Sequence, residues 1–298
     1  YCSSVVTNVA TTSAHVRCTG TDERRGCGWK GANPYLKPDA DYSCDYRCIK
    51  CHGKLIPVAQ GVIVFSQEMT PEEYQSRILA SYADVEFDKI ESGTATKEEW
   101  ARFTEASQHC AVDHVRIVSD CSTIEEIVST AHGIAHEMAR EGYPLRLVII
   151  DYAQRVRVGN MSGRRMSREE EVAEVGRSVK ELATNLLVPV LMPGQLNDEA
   201  RKKGERPSAN NARESKALAM DADNVLIIYN EERQNAANLH HESEQAANDV
   251  EPVDFIVDKK RGGKKGTIRA AFVPRTTTFK AWNYEKNGDP WANKAREA

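Results

Sequence analysis

From residue 61 onward, short apolar runs alternate along the chain with longer segments in which apolar residues recur every three or four positions. The short runs are typical of buried strands, and the longer segments are typical of amphipathic helices. Strands that alternate with helices form a mostly parallel sheet covered on both faces, so this part is predicted to be a doubly wound α/β domain. The predicted strands are 61–66, 115–119, 145–151, 188–193 and 223–229, and the predicted helices are 71–83, 97–107, 123–140 and 167–186.

Two later apolar runs, 254–258 and 267–273, flank a Gly-Gly-Lys-Lys-Gly turn and predict a C-terminal β-hairpin. The cysteine content changes sharply before the first predicted strand. We therefore divide the chain into three parts, which are a small cysteine-rich segment at 1–57, the α/β domain at 58–281 and a loose tail at 282–298.

The composition excludes several classes of protein. Of the 298 residues, 40% are hydrophobic and 28% are charged, which is the balance of a globular chain. No run approaches the roughly 18 apolar residues that span a bilayer, so no membrane association is expected. The net charge of −4 argues against a nucleic-acid coat over the whole surface and leaves room for local basic loops. The chain begins at Tyr1 rather than Met, which is compatible with a fragment of a longer protein.

The cysteines of the N-terminal segment favour a metal site. Cys48 and Cys51 have the two-residue spacing of a zinc knuckle, in which two thiolates on a tight turn reach one ion. A zinc ribbon is therefore predicted, although eight residues separate the other two ligands, where a knuckle usually has two to four. The alternatives are a reduced cysteine-rich segment without metal and, less favoured, a disulfide framework. The predicted Zn²⁺ ligands are Cys18, Cys27, Cys48 and Cys51, with Cys44 or His52 as substitutes.

Polar residues follow the predicted strands at the positions where α/β sheets bind ligands. Glu68 follows strand 61–66 and can act as a general base on a water molecule. Asp151 follows four apolar residues, as in a Walker B strand whose carboxylate holds Mg²⁺, but many buried strands also end in an Asp that forms a turn or caps a helix. Gln195 follows strand 188–193, where a neutral amide can sense a phosphate oxygen without repelling it.

A run of cations lies in the predicted hairpin. Lys259 and Arg261 are two residues apart on one strand, so they are expected to share a face. Two cations on one face can reach a phosphate held by a neighbouring subunit. The competing interpretation is a solvated charged turn.

Together these segments resemble the C-terminal ATPase domain of DnaB-like replicative helicases, which belong to the hexameric superfamily 4. The resemblance covers about residues 58–279 and rests on the order Ser-Gln-Glu-Met, Ile-Ile-Asp-Tyr-Ala-Gln, Gly-Gln-Leu-Asn, Arg-Glu-Ser with Asp-Ala-Asp, and Lys-Lys-Arg-Gly-Gly. It implies a RecA-like fold, use of ATP and Mg²⁺, and 5′-3′ unwinding of duplex DNA by a homo-hexameric ring that translocates on single-stranded DNA. It also implies a primase or helicase loader as a partner, in the cytoplasm of a bacterial or phage-infected cell.

The resemblance also assigns roles to the candidate residues. Glu68 polarises the attacking water, Asp151 serves Mg²⁺, and Gln195 couples the γ-phosphate state to the DNA-binding loops. Arg261 is the arginine finger and Lys259 its partner, both acting on the adjacent subunit.

Two polar, basic loops are expected to face the central channel of such a ring. One begins at Arg155, after Asp151, and the other begins at Asn197, after Gln195. Basic loops of this kind suit contact with a single-strand phosphate backbone, but solvated linkers have the same composition. The predicted DNA-binding residues are Arg164, Arg165, Arg168, Arg201, Lys202, Lys203 and Arg213, although Arg213 can instead pair with Glu214.

One motif of the family is absent from the sequence. In this family a Walker A loop, G-x4-G-K-[ST], and one helix should precede Gly61. No segment of the 298-residue sequence matches this motif. We therefore expect little ATP hydrolysis by this polypeptide alone. Three explanations stay open, namely a fragment or gene fusion, a ribbon inserted into a longer ATPase, and a degenerate ATPase reused as a binding module. The alternative function is accordingly a zinc-ribbon nucleic-acid-binding protein with a non-hydrolysing ATPase-like domain.

Overall fold

The computed structural model describes residues 60–109, 114–159, 166–195, 207–208, 213–231 and 250–282, together with the backbone of four short strands between 15 and 57. None of the helices in these ranges is both long enough and apolar enough to cross a bilayer. All statements on structure below refer to these residues.

The four short strands form an antiparallel sheet inside the segment predicted to be a zinc ribbon. Its longest strand pairs with each of the other three. The strands are β1 (His15–Thr21), β2 (Arg24–Arg25), β3 (Lys30–Ala32) and β4 (Lys54–Pro57). Of the predicted zinc ligands, Cys18 lies in β1, where only the backbone is described, and Cys27, Cys48 and Cys51 lie outside the described residues. The zinc site therefore stays a prediction.

A parallel sheet forms the centre of the following domain, with strand order β6-β5-β7-β8. Every residue of β5 and most of β7 are buried, because these two strands lie inside the sheet and are covered on both faces. Pro189 and Pro193 bound the shortest strand, which covers less than the predicted 188–193 because proline has no N–H to donate to a ladder. The strands are β5 (Gly61–Ser66), β6 (Val115–Val118), β7 (Leu145–Asp151) and β8 (Val190–Leu191).

Helices pack on both faces of this sheet, as the doubly wound prediction requires. The helices are α1 (Pro71–Tyr82), α2 (Phe87–Glu91), α3 (Lys97–His109), α4 (Ile124–Glu141), α5 (Arg168–Leu186) and α6 (Arg213–Asp221). Helix α1 buries Tyr74 and Ile78 against one face, and α4 and α5 bury residues such as Ile127 and Leu182 against the other. Each fully buried side chain of this size contributes about 1.5–3 kcal/mol by the removal of its apolar surface from water.

The helix ends follow from local sequence signals. Thr70 caps α1, whose first residue is Pro71. Thr123 with Glu126, and Ser167 with Glu170, form capping boxes that begin α4 and α5. Gly142 ends α4 with a φ of 93°, a left-handed conformation that glycine adopts without steric cost.

The remaining strands form a second, antiparallel sheet in the order β12-β11-β10-β9. The predicted C-terminal hairpin is its centre, but the strand predicted at 223–229 pairs with the hairpin instead of with the parallel sheet. The strands are β9 (Asn224–Tyr229), β10 (Glu251–Lys260), β11 (Gly266–Val273) and β12 (Thr278–Ala281).

Two sets of contacts join the second sheet to the parallel sheet and its helices. Helix α6, which leads directly into β9, packs along α5, and Leu218 on α6 approaches Gly194 just beyond β8. Further along the chain, Arg275 after β11 donates to Asp84 after α1, with Nη2–Oδ1 at 2.9 Å. These contacts join the second sheet to the helices and loops of the parallel sheet.

Candidate nucleotide-binding site

Glu68 lies in a tight turn at the carboxyl end of β5. Ser66 ends the strand, and its hydroxyl donates to the carbonyl of Met69 at 2.8 Å and accepts from the Met69 N–H at 3.1 Å. This double contact fixes the short turn between the two residues. Glu68 projects from the turn as an exposed carboxylate.

Asp151 lies beside this turn on the neighbouring strand. It is the last residue of β7 and pairs in register with Ser66 of β5. The N–H of Gln67 donates to the carbonyl of Asp151 at 2.8 Å, so the ladder of the two strands continues to the base of the Glu68 turn. The two predicted acids therefore lie at the same rim of the sheet, on adjacent strands.

Gln154 joins the next strand end to this rim. Its side-chain amide donates to the carbonyl of Gln195 at 3.0 Å and accepts from the N–H of Gln195 at 3.3 Å. The N–H of Ala153 also donates to the carbonyl of Pro193 at 3.0 Å. These contacts bring Gln195 to the rim that holds Asp151. The role of Gln154 was not predicted from the sequence, although the residue lies in the Asp-Tyr-Ala-Gln motif.

Two further hydrogen bonds tie the loops at this rim together. Arg155 donates from Nη1 to the carbonyl of Gln67 at 3.0 Å. Gln67 in turn donates from Nε2 to the carbonyl of Cys121 beyond β6 at 2.6 Å. The loops after all four parallel strands are thus connected in series, which restricts the positions of Glu68, Asp151 and Gln195.

Glu171 organises the base of the loop that follows β7. Its carboxylate pairs with Arg157 and Arg168 and accepts from the N–H of Val158 at 3.2 Å. Burial raises the pKa of this carboxyl, but the bonds from Arg168 and Val158 and the charges of Arg168 and Arg157 outweigh it and hold the pKa below the usual value.

Arg168 has an internal structural role in addition to the DNA contact predicted for it. It is the first residue of α5, its side chain is 29% exposed, and it binds Glu171 and the carbonyl of Gln154. Its DNA contact stays a prediction. Arg213 begins α6 with a side chain that is not described, and Arg164, Arg165, Arg201, Lys202 and Lys203 lie outside the described residues.

Lys259 and Arg261 lie in the hairpin of the second sheet. Both contact the segment that leads from the end of α6 into β9. The Lys259 ammonium donates to the carbonyls of Ala219 and Met220 at 2.8 and 2.9 Å, which satisfies carbonyls at the end of α6. Arg261, just past β10, pairs with Asp223 through Nη1 and Oδ1 at 3.1 Å. Arg261 lies beyond the end of β10, so the two cations are not on one strand as predicted, but both contact the segment between Ala219 and Asp223.

Asp223 is shared between this hairpin and α5. Its carboxylate also accepts from Lys180, and the hydrogen bonds from Lys180 and Arg261 hold its pKa below the usual value. The N–H of Arg261 donates to the carbonyl of Asp223 at 2.9 Å. Asp223 is the last residue of the Asp-Ala-Asp segment, but its role as an anchor for Arg261 was not predicted from the sequence.

The rim offers the ligand chemistry of a magnesium–phosphate site. Glu68 and Asp151 supply hard carboxylate oxygens, and Gln195 supplies a neutral amide. In the described part of the chain, no group of three or more His, Cys, Asp or Glu side chains is arranged to hold a metal alone. Two carboxylates at one rim fit Mg²⁺, which proteins usually bind through one or two carboxylates while substrate phosphates and water complete the shell.

A parallel sheet with acids and an amide at the ends of adjacent strands is the arrangement of the α/β nucleotide-binding proteins. Comparison with known proteins identifies the family within this class. Residues 49–281 match the model of the family described as "DnaB-like helicase C terminal domain", and the chain belongs to this family.

Curated relatives agree with this assignment. The replicative DNA helicase DnaB of Buchnera aphidicola subsp. Baizongia pistaciae is 29% identical over 240 residues, which is 80% of this chain and 49% of that protein. The DnaB of Haemophilus influenzae is 30% identical over 231 residues, which is 77% of this chain and 46% of that protein. The chain thus spans about half the length of the curated relatives it matches.

Solved structures support the fold. One of them, described as an ATPase domain, superimposes with a TM-score of 0.61 at 22% identity, covering 75% of each chain. A second, described as "The Structure Of A DnaB-Like Replicative Helicase And Its Interactions With Primase", superimposes with a TM-score of 0.63 at 23% identity, covering 75% of this chain and 51% of the other. The RecA-like α/β fold expected from the motifs is therefore confirmed.

Proposed function

We propose that this chain provides the ATPase domain of a DnaB-like replicative helicase, with an ATP–Mg²⁺ site at the rim formed by Glu68, Asp151 and Gln195. The observation that carries the proposal is the joining of three strand ends by Gln67 and Gln154, which places two carboxylates and an amide at one edge of the sheet.

Each rim residue has a distinct chemical task in this proposal. Asp151 holds Mg²⁺, which supplies neutralising charge to the phosphates. Glu68, exposed at its turn, accepts a proton from the attacking water. The side-chain amide of Gln154 ties Gln195 to the loop after β7 through the N–H and the carbonyl of Gln195, so a change at Gln195 is passed directly to the segment that follows Asp151.

The ring, its partners and the DNA contacts belong to the same proposal. A homo-hexamer would place Arg261 and Lys259 against the nucleotide of the adjacent subunit and the loops at 155–168 and 197–213 against single-stranded DNA. Primase or a helicase loader would be the protein partners, in the cytoplasm of a bacterial or phage-infected cell. Zn²⁺ bound by Cys18, Cys27, Cys48 and Cys51 would stabilise the N-terminal sheet.

Binding of Mn²⁺ in the presence of ATP, followed by electron paramagnetic resonance, tests the metal position. Asp151→Asn should weaken Mn²⁺ binding at least about tenfold, because it removes the charged ligand. The matched control is Asp120→Asn, an exposed acid just beyond the outer strand β6, which should bind as the wild type does. A stronger loss in the Asp120 variant would move the site to the outer strand and overturn the proposal.

The second candidate function is a zinc-ribbon nucleic-acid-binding protein with a non-hydrolysing ATPase-like domain, with which a sequence that lacks a G-x4-G-K-[ST] motif is also compatible. Fluorescence anisotropy with labelled oligo-dT distinguishes the helicase proposal from this second candidate function. Under the helicase proposal, replacing Arg201, Lys202 and Lys203 by Ala weakens binding, and replacing Lys264 and Lys265 in the hairpin turn does not. If DNA binding instead depends on residues 1–57, the second function is favoured.

A further inference from the structure

Two histidines lie four residues apart on the outer face of helix α4. His132 and His136 are both exposed. Side chains at positions i and i+4 of an α-helix are neighbours on one face, with Cβ atoms about 5–6 Å apart. The core side of α4 is the opposite one, because Ile127 and Met138 are buried there against the parallel sheet. The two imidazoles are therefore side by side and face the solvent.

Neither imidazole is engaged elsewhere in the described part of the chain. No hydrogen bond or ion pair joins His132 or His136 to another described residue. His114 is a contrast, because it is buried and its ring packs beside that of Tyr143 at a centroid distance of 6.2 Å. The exposed pair thus keeps its ring nitrogens available to an external ligand, and metal ions are the ligands that neutral imidazole binds most often.

The turn between the two histidines contains a glycine that packing does not require. Gly133 is exposed, and a Cβ added to it would meet no heavy atom within 4 Å. A glycine inside a helix is less favourable than alanine, because it loses more conformational freedom on folding. Gly133 is the only glycine of α4, and the helix has no proline. The intrinsic helix propensity of α4 is therefore lowest in the turn that His132 and His136 enclose.

The charges of α4 favour a cation on this helix. It carries the four carboxylates of Glu125, Glu126, Glu137 and Glu141 and the single guanidinium of Arg140. The excess of three negative charges attracts a dication to the helix surface.

We propose that His132 and His136 bind one divalent transition-metal ion, such as Zn²⁺, and that this ion stabilises the turn of α4 that contains Gly133. Imidazole nitrogens suit Zn²⁺, Ni²⁺ and Cu²⁺, whereas Mg²⁺ takes oxygen ligands. Two histidines at i and i+4 on one helix face supply two of the ligands in helical zinc motifs. No third His, Cys, Asp or Glu joins them among the described residues, so water completes the shell and the ion stays accessible.

The ligand chemistry of this site separates it from the rim proposed for ATP and Mg²⁺. The rim offers oxygen ligands from Glu68 and Asp151, and the α4 site offers nitrogen ligands only. Metal binding at α4 is also linked to helix formation, because only the helical turn holds both imidazoles at one ion. Opening of the turn releases the ion, so the bound ion opposes the opening in proportion to its concentration.

Hydrogen–deuterium exchange of the full chain measures this link. The dissociation constant for Zn²⁺ comes first, from a titration of the His132 and His136 imidazole resonances followed by NMR. Zn²⁺ at about ten times this constant should slow amide exchange in residues 132–140 about tenfold. Mg²⁺ at the same concentration should leave the exchange unchanged. Equal exchange of residues 132–140 with and without Zn²⁺ would overturn the proposal.

Single substitutions test whether both imidazoles are needed. His132→Gln and His136→Gln should each abolish the protection by Zn²⁺, because a single imidazole cannot bridge the turn. Both residues are exposed, so folding, checked by circular dichroism, should be kept. Any Zn²⁺ bound by the N-terminal cysteines is common to all chains, so a difference between chains belongs to the histidines. Full protection in either variant would contradict the proposed ligand pair.

A third variant tests the spacing. His136→Gln combined with Glu137→His keeps two histidines on α4 but places them five positions apart, about 140° around the helix. This chain should show no protection by Zn²⁺, and protection equal to that of the wild type would show that spacing is irrelevant and reject the site.

Gly133→Ala is the matched control inside the same turn. It keeps both imidazoles and adds a methyl group where there is open space, so it should bind Zn²⁺ as the wild type does. Its exchange without metal should be slower than that of the wild type, since alanine has the higher helix propensity. An unchanged metal-free rate would reject the assignment of this turn as the weak part of α4.

Discussion

Glu171 illustrates how a single carboxylate determines the geometry of the loop after β7. Two arginines and one backbone N–H converge on it, and one of these arginines also holds the carbonyl of Gln154. Gln154 then fixes Gln195 through two hydrogen bonds. The position of the amide at the rim thus depends on a glutamate that is distant from it in the sequence.

Glu171→Gln should lower the free energy of unfolding by about 1–2 kcal/mol, because it removes the charge from two partly buried hydrogen bonds and from an exposed one with Arg157. The control Glu174→Gln removes a more exposed pair with Arg177 on the same helix and should change stability by less than about 0.5 kcal/mol. Thermal unfolding of the three chains measures the difference, and equal melting temperatures for both variants would contradict the role given to Glu171.

The difference in stability between the wild type and Glu171→Gln should also depend on pH. Because the folded-state pKa of Glu171 lies below its unfolded value, its ionised form stabilises the fold fully above about pH 4.3 and loses this effect as the pH falls through the folded value. The gap in melting temperature between wild type and Glu171→Gln should stay constant from neutral pH to about pH 5 and close below about pH 4. A gap in melting temperature that widens as the pH falls would contradict the lowered folded-state pKa of Glu171.

Asp223 anchors Arg261 through a side-chain pair and a backbone hydrogen bond. Asp223→Asn keeps the shape of the side chain and removes the charge shared by Lys180 and Arg261, so amide exchange in the 261–265 turn should accelerate. The control is Asp258→Asn, whose partner Lys265 lies 3.9 Å away in the same hairpin. Equal acceleration in both variants would show that Asp223 does not anchor the turn.

At the scale of elements, capping residues determine where the helices of the parallel layer begin. Thr123→Ala removes the side-chain cap of α4 and should destabilise the protein by about 1 kcal/mol, as measured by chemical denaturation. The control Ser129→Ala replaces an exposed residue inside the same helix and should leave stability unchanged or slightly raised, since Ala has the higher helix propensity. A Ser129 variant that loses as much as the Thr123 variant would contradict the capping argument.

The elements with strong periodicity could be predicted from the sequence, and the weaker ones could not. Strand 61–66 and the helix at 71–83 agree with β5 and α1 to within one residue, because Thr70, Pro71 and a fully apolar run mark their limits. Helix α6 and strand β12 were not predicted, since both are short and their stability comes from packing on α5 and pairing with β11. The pairing partner of β9 depends on distant segments, which local patterns do not encode.

In the candidate site too, some residues could be predicted from the sequence and others could not. Glu68, Asp151 and Gln195 could be found because each follows an apolar run that ends at a ligand-binding edge. Gln67, Gln154 and Glu171 could not, because their roles come from hydrogen bonds between loops that are far apart in the chain. The anchoring of Arg261 by Asp223 likewise depends on how α6 turns into β9.

At the scale of the whole molecule, the parallel sheet has two chemically different ends. Met69 follows the carboxyl end of β5, and Met192 follows that of β8, so both residues lie on the side of the proposed site. Met138 packs beside Gly61 at the amino end of β5. Six residues of strand at about 3.3 Å each separate the two ends.

The most direct test of the central claim uses these methionines. A chain labelled with ¹³C at the methionine methyl groups is titrated with ATP and Mn²⁺, whose paramagnetic broadening falls steeply with distance, and the methyl resonances are followed by NMR. If ATP and its metal bind at the rim of Glu68, Asp151 and Gln195, the Met69 and Met192 resonances broaden and the Met138 resonance stays sharp, with the diamagnetic Mg²⁺ complex as reference. Broadening of Met138 equal to or greater than that of Met69 and Met192 would contradict the account.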